Sequence, residues 1–238
     1  MSVSWLIGRG CSIAAGLTWV VPPYWRLLPR WLQIRLIIQA LTAAQQSPAV
    51  TLDTHRNFLR ILDHRTVPGA VHALITTNWD GLLEMALESI WPGVHPGIWL
   101  DNMYVAHING RIERIPRSAA GSPFLLEEDR GTVRTPTVEA NNALGRILWS
   151  DVVVVVGMSF ECEQDKFLLK AIKQHEDNLP AGEATWIVVN SNLADLGKAT
   201  RLLRHHLLRA NVVSVELTFQ DWVRAGLPEL VTTGSLLP

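Results

Sequence analysis

The chain of 238 residues has a formal net charge of −1 and 48% apolar residues, which suits a single domain spanning 1–238 with a sizeable core. Its two cysteines, Cys11 and Cys162, exclude a disulfide framework and a four-cysteine zinc site, so a reduced, cytoplasmic protein is expected. The near-zero charge disfavours direct nucleic-acid binding. The uncharged run 10–25 is too short to span a bilayer, and no membrane association is expected.

Short runs of consecutive apolar residues recur along the chain and predict buried strands. The run at 151–157 is the clearest, because its five successive valines suit a parallel strand that is covered on both faces. The predicted strands are 3–7, 72–76, 103–106, 151–157, 185–190 and 211–217.

Helical patterns separate these strands. We expect a tight turn at 8–12 and a short helix starting within 13–17. Thr218 with Asp221 predicts a capping box for a last short helix. The other predicted helices are 30–46, 55–64, 80–90, one capped by Thr137, 166–174 and 193–208. Most of 22–65 is therefore a helical insert, and 91–136 is an irregular region that would form a small subdomain. The alternation predicts an α/β fold, a Rossmann-like doubly wound parallel sheet with a small helical insert.

Ligands of such sheets bind outside the carboxyl ends of the strands, so the residues that follow each strand matter most. Gly8, Gly10 and Ser12 follow the first strand. Glycines at this point let backbone amides approach a phosphate at a helix N-terminus. The spacing G-x-G-x5-G fits an ordinary strand-to-helix turn equally well.

Polar residues follow the other strands too. Asn78 and Asp80 come after the second strand and can hold a ribose or a carboxamide, or cap a helix. His107 follows the third strand and can act as a general base near neutral pH, although a single histidine is more often only hydrogen-bonded. Gly157 and Ser159 follow the valine strand, and Asn190 follows the next strand along the chain.

In this order the five segments resemble the motifs of the sirtuin family. Sirtuins carry G-A-G-x-S-x-x-S-G-[IV]-P, Q-N-x-D, a catalytic H-G, G-T-S and N-x-E. The resemblance spans roughly 4–220 and implies a domain that binds NAD. The matching positions are Gly8, Gly10, Ser12, Gly16, Leu17, Asn78, Asp80, His107, Gly157, Ser159 and Asn190.

The chain also departs from the sirtuin deacylases. Those enzymes place a zinc ribbon of two C-x-x-C pairs after the catalytic histidine, whereas 111–136 contains no cysteine. The Phe-Gly-Glu segment that helps hold an acyl-peptide is not recognisable. The pattern is more similar to the zinc-less sirtuin-like domains of bacterial antiviral systems. That resemblance implies an NAD hydrolase in a defence or stress context, with no zinc ribbon and no bound zinc.

The resemblance also implies a role for each residue. Backbone amides near Gly8, Gly10 and Ser12 would hold the pyrophosphate, and Asp80 would orient the nicotinamide carboxamide. Asn78 would hold the nicotinamide ribose or a water molecule. His107 would act as base on a ribose hydroxyl or on the attacking water. Ser159 and Asn190 would contact the adenosine half, and Gly157 would also be a cofactor-binding residue.

Two other functions stay open. An imperfect H-x-x-G motif at His107 suits a module that senses NAD or a related nucleotide without turnover. The third hypothesis is an NAD-dependent protein deacylase. A toxic NAD hydrolase also needs control, which predicts a regulatory partner protein or a homo-oligomer.

Overall fold

The computed structural model describes residues 1–93, 103–109, 138–160, 163–175 and 183–238. Their centre is a six-stranded sheet in which every pair of neighbours is parallel. The strands are β1 (Ser2–Ile7), β2 (Val71–Thr76), β3 (Met103–His107), β4 (Val152–Val156), β5 (Thr185–Val189) and β6 (Asn211–Val215).

The strand order is β3-β2-β1-β4-β5-β6, which confirms the predicted doubly wound sheet. The chain runs outward from β1 to one edge and then returns to β4 on the other side of β1. In such sheets this reversal opens a crevice between the two central strands at their carboxyl ends. The register places the last residues of the first three strands side by side, since Ile7 pairs with Thr76 and Thr76 pairs with His107.

The strands are predictable because both faces of the sheet are covered. Val152, Val154 and Val156 pack into one core, and Val153 and Val155 pack into the other. Five consecutive valines therefore alternate between two apolar layers, as a parallel strand between two helical layers requires. A third, smaller core joins the helical insert to the sheet through Ala15, Leu17, Ile37, Leu41 and Leu82.

Helices follow the strands as expected. Residues 22–65 hold a 3-10 turn (Trp25–Leu27) and two helices between β1 and β2. Among the described helices, none is long and apolar enough to cross a membrane. The helices are α1 (Arg9–Ala14), α2 (Arg30–Gln45), α3 (Asp53–Arg65), α4 (Leu82–Ile90), α5 (Val138–Leu148), α6 (Glu163–His175), α7 (Leu193–His206), α8 (Phe219–Arg224) and α9 (Pro228–Thr232).

Two predictions about the helices differ from the structure. The turn expected at 8–12 is instead helical, because α1 begins at Arg9 directly after Gly8. Glycine lowers helix propensity, but here the close packing of this segment on β4 outweighs that preference. The short helix α9 was not expected at all. The predicted capping box is confirmed, since the Asp221 amide donates to Thr218 Oγ1 at 3.0 Å.

Candidate functional site

The turns after β1 and β4 are pressed against each other. A Cβ atom on Gly10 would lie 2.7 Å from the Cα of Gly157, and one on Gly157 would lie 2.7 Å from the Cα of Gly10. Gly157 also has a φ of +64°, which disfavours any residue with a side chain. Glycine is therefore required at both positions, and we call this contact the glycine seam.

The seam uses the amides that the sequence assigned to a pyrophosphate. The amide of Gly8 donates to the Val156 carbonyl at 2.9 Å, and the amide of Gly10 donates to the Gly157 carbonyl at 3.0 Å. The structure thus places these glycines at the centre of the crevice, but their N–H groups bond to the protein. In this arrangement the two amides are not free to donate to a phosphate as the sequence predicts.

Asn78, Ser12 and Asp80 meet beside the seam. Asn78 Nδ2 donates to Ser12 Oγ at 2.8 Å and to the Gly8 carbonyl at 3.1 Å. Ser12 Oγ in turn donates to Asp80 Oδ2 at 2.7 Å. Ser12 and Asp80 are buried, so these bonds form away from bulk water. Residues from two separate strand ends are therefore locked into one arrangement.

His107 extends this arrangement to the end of β3. Its ring is buried, and Nδ1 lies 3.0 Å from the backbone carbonyl of Asn78. Its other ring nitrogen, Nε2, contacts Oε1 of Glu84 in a short hydrogen bond. A continuous chain of contacts therefore runs through five residues, with the backbone carbonyl of Asn78 as the link to His107. We call it the buried polar network, and its members are Glu84, His107, Asn78, Ser12 and Asp80.

Glu84 is the member that the sequence analysis missed. It lies on α4, and only 7% of its surface is exposed. The sequence did hold a signal, because Glu84 falls next to Leu83 and three residues before Leu87, on the face of α4 that was expected to pack inward. A charged residue on a buried helical face needs a partner. Asn109 was missed as well, and its Nδ2 donates to the Thr77 carbonyl at 3.1 Å.

Burial dominates the electrostatics of the network. The pKa of Asp80 is raised, first by its removal from water and further by the negative charge of Glu84. The hydrogen bonds from Ser12 and from the Leu82 amide and the charge of His107 act in the opposite direction. Glu84 thus contacts the buried imidazole directly, whereas Asp80 interacts with it through charge alone.

The helical insert supports the turn that carries Asn78 and Asp80. Gln45 Oε1, at the end of α2, accepts a hydrogen bond from the Gly81 amide at 2.8 Å. Trp79 packs against the small core of the insert and lies 6.2 Å from Trp19, measured between ring centroids. The insert is therefore part of the framework of the site.

The other half of the carboxyl edge is more open. Ser159 and Asn190 are half-buried, at the ends of β4 and β5. Asn190 Oδ1 accepts from the amide of Asn192 at 2.9 Å, and Asn192 caps α7. The structure places Gly157, Ser159 and Asn190 at the same edge as the network but shows no hydrogen bond that links Ser159 or Asn190 to it within the described residues.

The two cysteines differ in what the structure describes. Cys11 is fully buried below the glycine seam, and its thiol lies 3.7 Å from the Val156 carbonyl. Burial raises the pKa of this thiol, and the nearby charge of Asp80 raises it further. The lowered pKa that a helix N-terminus can cause is therefore not found, and Cys11 is a packing residue. Cys162 lies outside the described residues.

No group of three or more metal-ligating side chains occurs in the part of the chain that the structure describes. The cysteine-free segment 111–136, on which the expectation of a missing zinc ribbon rests, lies outside that part.

No protein-family model matches the sequence, and no curated protein matches it either. Solved structures do match the fold. A Sir2Tm structure with a propionylated peptide has a TM-score of 0.58 at 14% identity, over 96% of this chain and 92% of that one. A Sir2 complex with a p53 peptide and NAD+ has a TM-score of 0.56 at 14% identity, over 98% and 94%. A mutant Sir2 homologue in complex with 2'-O-acetyl ADP ribose has a TM-score of 0.57 at 15% identity, over 99% and 94%.

The chain therefore has the sirtuin fold, a Rossmann-like sheet of six parallel strands with a helical insert. These similarities extend over nearly the whole of both chains, so the shared architecture is not limited to a common nucleotide-binding core. At such low identities they establish the fold and leave the activity to be argued from the residues of the site.

Proposed function

We propose that the protein binds NAD across the carboxyl edge of the sheet and hydrolyses the bond between nicotinamide and ribose. The observation that carries this proposal is the buried polar network, which assembles on this fold the residues that resemble the sirtuin Q-N-x-D and H-G motifs. Solved structures of the same fold include one with a p53 peptide and NAD+. The site residues proposed from the sequence are also brought to one edge of the sheet.

The charge of the network suits this chemistry. In NAD the nicotinamide ring is cationic, and it leaves as a neutral molecule while positive charge develops on the ribose. Asp80 and Glu84 supply two buried carboxyl groups against one imidazole. Fixed negative charge in a site shielded from water stabilises a developing cation more than water does. No metal ion is needed for this step.

The proposed reaction converts NAD and water into ADP-ribose and nicotinamide. The bond from the ribose C1' to the nicotinamide nitrogen breaks, and its electron pair leaves with nicotinamide. The oxygen of water bonds to C1', and one proton of that water must be accepted. Asn78 would position the ribose or the water, and Asp80 would orient the carboxamide. The proton acceptor would lie at His107, whose assistance would contribute about 10²- to 10⁴-fold to the rate.

The adenosine half of NAD would lie on the open half of the edge. Ser159 and Asn190 offer a hydroxyl and an amide there, and Gly157 keeps the intervening backbone free of a side chain. Gly8, Gly10 and Ser12 would line the floor between the two halves. Because the amides of Gly8 and Gly10 bond within the protein, we expect their contribution to be close approach of the backbone rather than direct donation to phosphate.

Two other functions use the same site. A nucleotide sensor would bind NAD without turnover. That candidate is favoured by His107, because both of its ring nitrogens contact groups of the protein. A protein deacylase would release nicotinamide only with an acyl-lysine peptide, and a related fold is known with a propionylated peptide. The expected defence context, cytoplasmic location and regulatory partner or homo-oligomer stay predictions from the sequence.

One experiment separates the three functions. The purified chain is mixed with NAD alone, or with NAD and an acetyl-lysine peptide, and nicotinamide is followed by chromatography while calorimetry measures NAD binding. Release with NAD alone supports the hydrolase. Release only with the peptide indicates a deacylase, and binding without release indicates a sensor. Neither binding nor release would contradict the proposal. The variant H107A should abolish release, whereas H205A, on the exposed face of α7, should not change it.

A further inference from the structure

The hydrogen-bond partners of His107 determine where its protons lie. A backbone carbonyl can only accept, so the contact with Asn78 at 3.0 Å requires a proton on Nδ1. The short contact between Nε2 and Glu84 Oε1 also needs one proton, because two lone pairs would repel each other. Whether that shared proton resides on the imidazole or on the carboxylate, the two residues together hold it between them.

A second buried histidine shows the opposite state. The Trp5 indole can only donate, so its 3.1 Å contact with His72 requires an unprotonated Nδ1. The Nε2 of His72 then carries the proton and faces Thr66 Oγ1 at 3.1 Å. His72 is therefore neutral, with no carboxylate among these partners. The two histidines thus differ in protonation, and we attribute the protonation of both ring nitrogens of His107 to its contact with Glu84.

We propose that the proton acceptor of this site is the Glu84–His107 pair rather than His107 alone, with Glu84 as the residue that holds the shared proton on Nε2. Both ring nitrogens of His107 already contact hydrogen-bond acceptors, so the imidazole alone has no vacant basic atom in this arrangement. The pair can still take up one proton, which leaves a doubly protonated imidazole beside a protonated carboxyl group. This catalytic consequence rests on the proposed hydrolysis of NAD.

In that reaction the water that attacks C1' gives up one proton, and the pair receives it. The pair then returns the proton to solvent after ADP-ribose leaves, so the overall reaction releases one proton. Both side chains are buried but not sealed, with 5% of His107 and 8% of Glu84 exposed. The charge of Asp80 also acts on this pair. It favours the protonated imidazole.

The charge state is tested without any activity measurement. The full-length protein is labelled with ¹⁵N in its histidines, and the ring nitrogens of His107 are assigned through the H107Q spectrum. At pH 7 we expect both ring nitrogens of His107 to be protonated. In E84Q the amide of the new side chain donates to Nε2, so the Nε2 signal should move to the position of an unprotonated nitrogen. An unchanged signal, or an unprotonated Nε2 in the natural protein, would overturn the proposal.

The catalytic role is tested by a double-mutant cycle. We expect E84Q to lower kcat for nicotinamide release as strongly as H107A, with the KM for NAD within about twofold, because uniform binding is untouched. The double variant should be no slower than H107A, since the pair acts as one unit. E84D, which keeps a carboxylate, should recover part of the rate.

A matched control lies one turn further along the same helix. Glu88 is exposed on α4, so E88Q removes the same charge without touching His107 and should leave kcat and the His107 spectrum unchanged. If E84Q retains the natural kcat while H107A is inactive, His107 acts alone and the proposal is wrong. If the chain releases no nicotinamide at all, the proposed function fails, and the ¹⁵N spectra still decide the state of the pair. If E84Q does not fold, E84D and the natural protein supply the spectra.

Discussion

The two halves of the sheet's carboxyl edge are built for different tasks. Beyond β1, β2 and β3 the members of the buried polar network are bonded to one another, and all of them except the half-buried Asn78 are buried. Beyond β4 and β5, Ser159 and Asn190 are half-buried, and Asn190 bonds to the backbone of its own loop. A fixed, dry network needs no reorganisation when charge develops, which suits a reaction. Half-buried polar groups that stay accessible suit recognition of a ligand.

The difference between the two halves of the edge should have its largest effect on the kinetics of nicotinamide release. Asn78→Ala removes the side-chain bonds to Ser12 and to the Gly8 carbonyl but keeps the backbone contact with His107, so kcat for nicotinamide release should fall by about 10²- to 10³-fold. Asn190→Ala should instead raise the KM for NAD by roughly tenfold, because about one neutral hydrogen bond is lost from binding. Steady-state kinetics with both variants measure this split, with circular dichroism as the check on folding. If the two variants changed kcat by the same factor and KM by the same factor, the two halves would not differ in function.

The glycine seam joins the two halves, and breaking it should cost stability on both sides. Gly157→Ala places a Cβ atom 2.7 Å from the Gly10 Cα, at a φ of +64°. We expect the free energy of unfolding to fall by about 3 kcal/mol, as for other overpacked or strained core positions.

Gly145→Ala is the matched control for that variant. Gly145 lies in α5, and a Cβ atom there would meet nothing within 4 Å. The same substitution should therefore raise the free energy of unfolding by about 0.5–1 kcal/mol, because alanine favours a helix. Urea unfolding of both variants measures the difference, and a Gly157→Ala protein as stable as the natural one would show that the seam can open freely.

Another predicted effect, seen only in acid, concerns the buried histidines away from the edge. Burial lowers the pKa of His55 and of His72 from 6.5 to about 4, so both are neutral when folded. Between pH 6.5 and 4 the unfolded chain binds these protons and the folded chain does not, so stability falls as the pH falls. Each histidine should contribute a loss of about 1.4 kcal/mol per pH unit in this window.

His55→Phe tests this acid sensitivity. The ring of His55 packs edge-on against Phe219 at 5.6 Å, and its Nδ1 has no hydrogen-bond partner among the described residues, so phenylalanine fits the same contact. In the variant the free energy of unfolding, measured in urea, should depend less steeply on pH, by the amount that corresponds to the uptake of one proton on unfolding. An unchanged slope would mean that His55 titrates normally and that acid instability originates at the network.

The sequence predicts the sheet well because its strands are buried on both faces and therefore read as unbroken apolar runs. The three polar positions at the ends of β1 to β3 follow from the same logic, since parallel strands end at one edge. The position of Glu84 on the inward face of its helix indicates burial, but its partner could not be identified in this way, because His107 lies 23 residues away in the chain. The pairing of the Gly8 and Gly10 amides was equally hidden, since their partners are at the end of β4.

The reactivity of Cys11 reports how often the glycine seam opens. Its thiol is fully enclosed beneath the contact between the two turns and bonds to the carbonyl of Val156. A thiol reagent can reach it only when α1 lifts away from β4, so the rate of alkylation at this position measures how often the two halves of the edge separate. A ligand that spans both halves would hold them together and slow that reaction, which turns an inert packing residue into a reporter of occupancy.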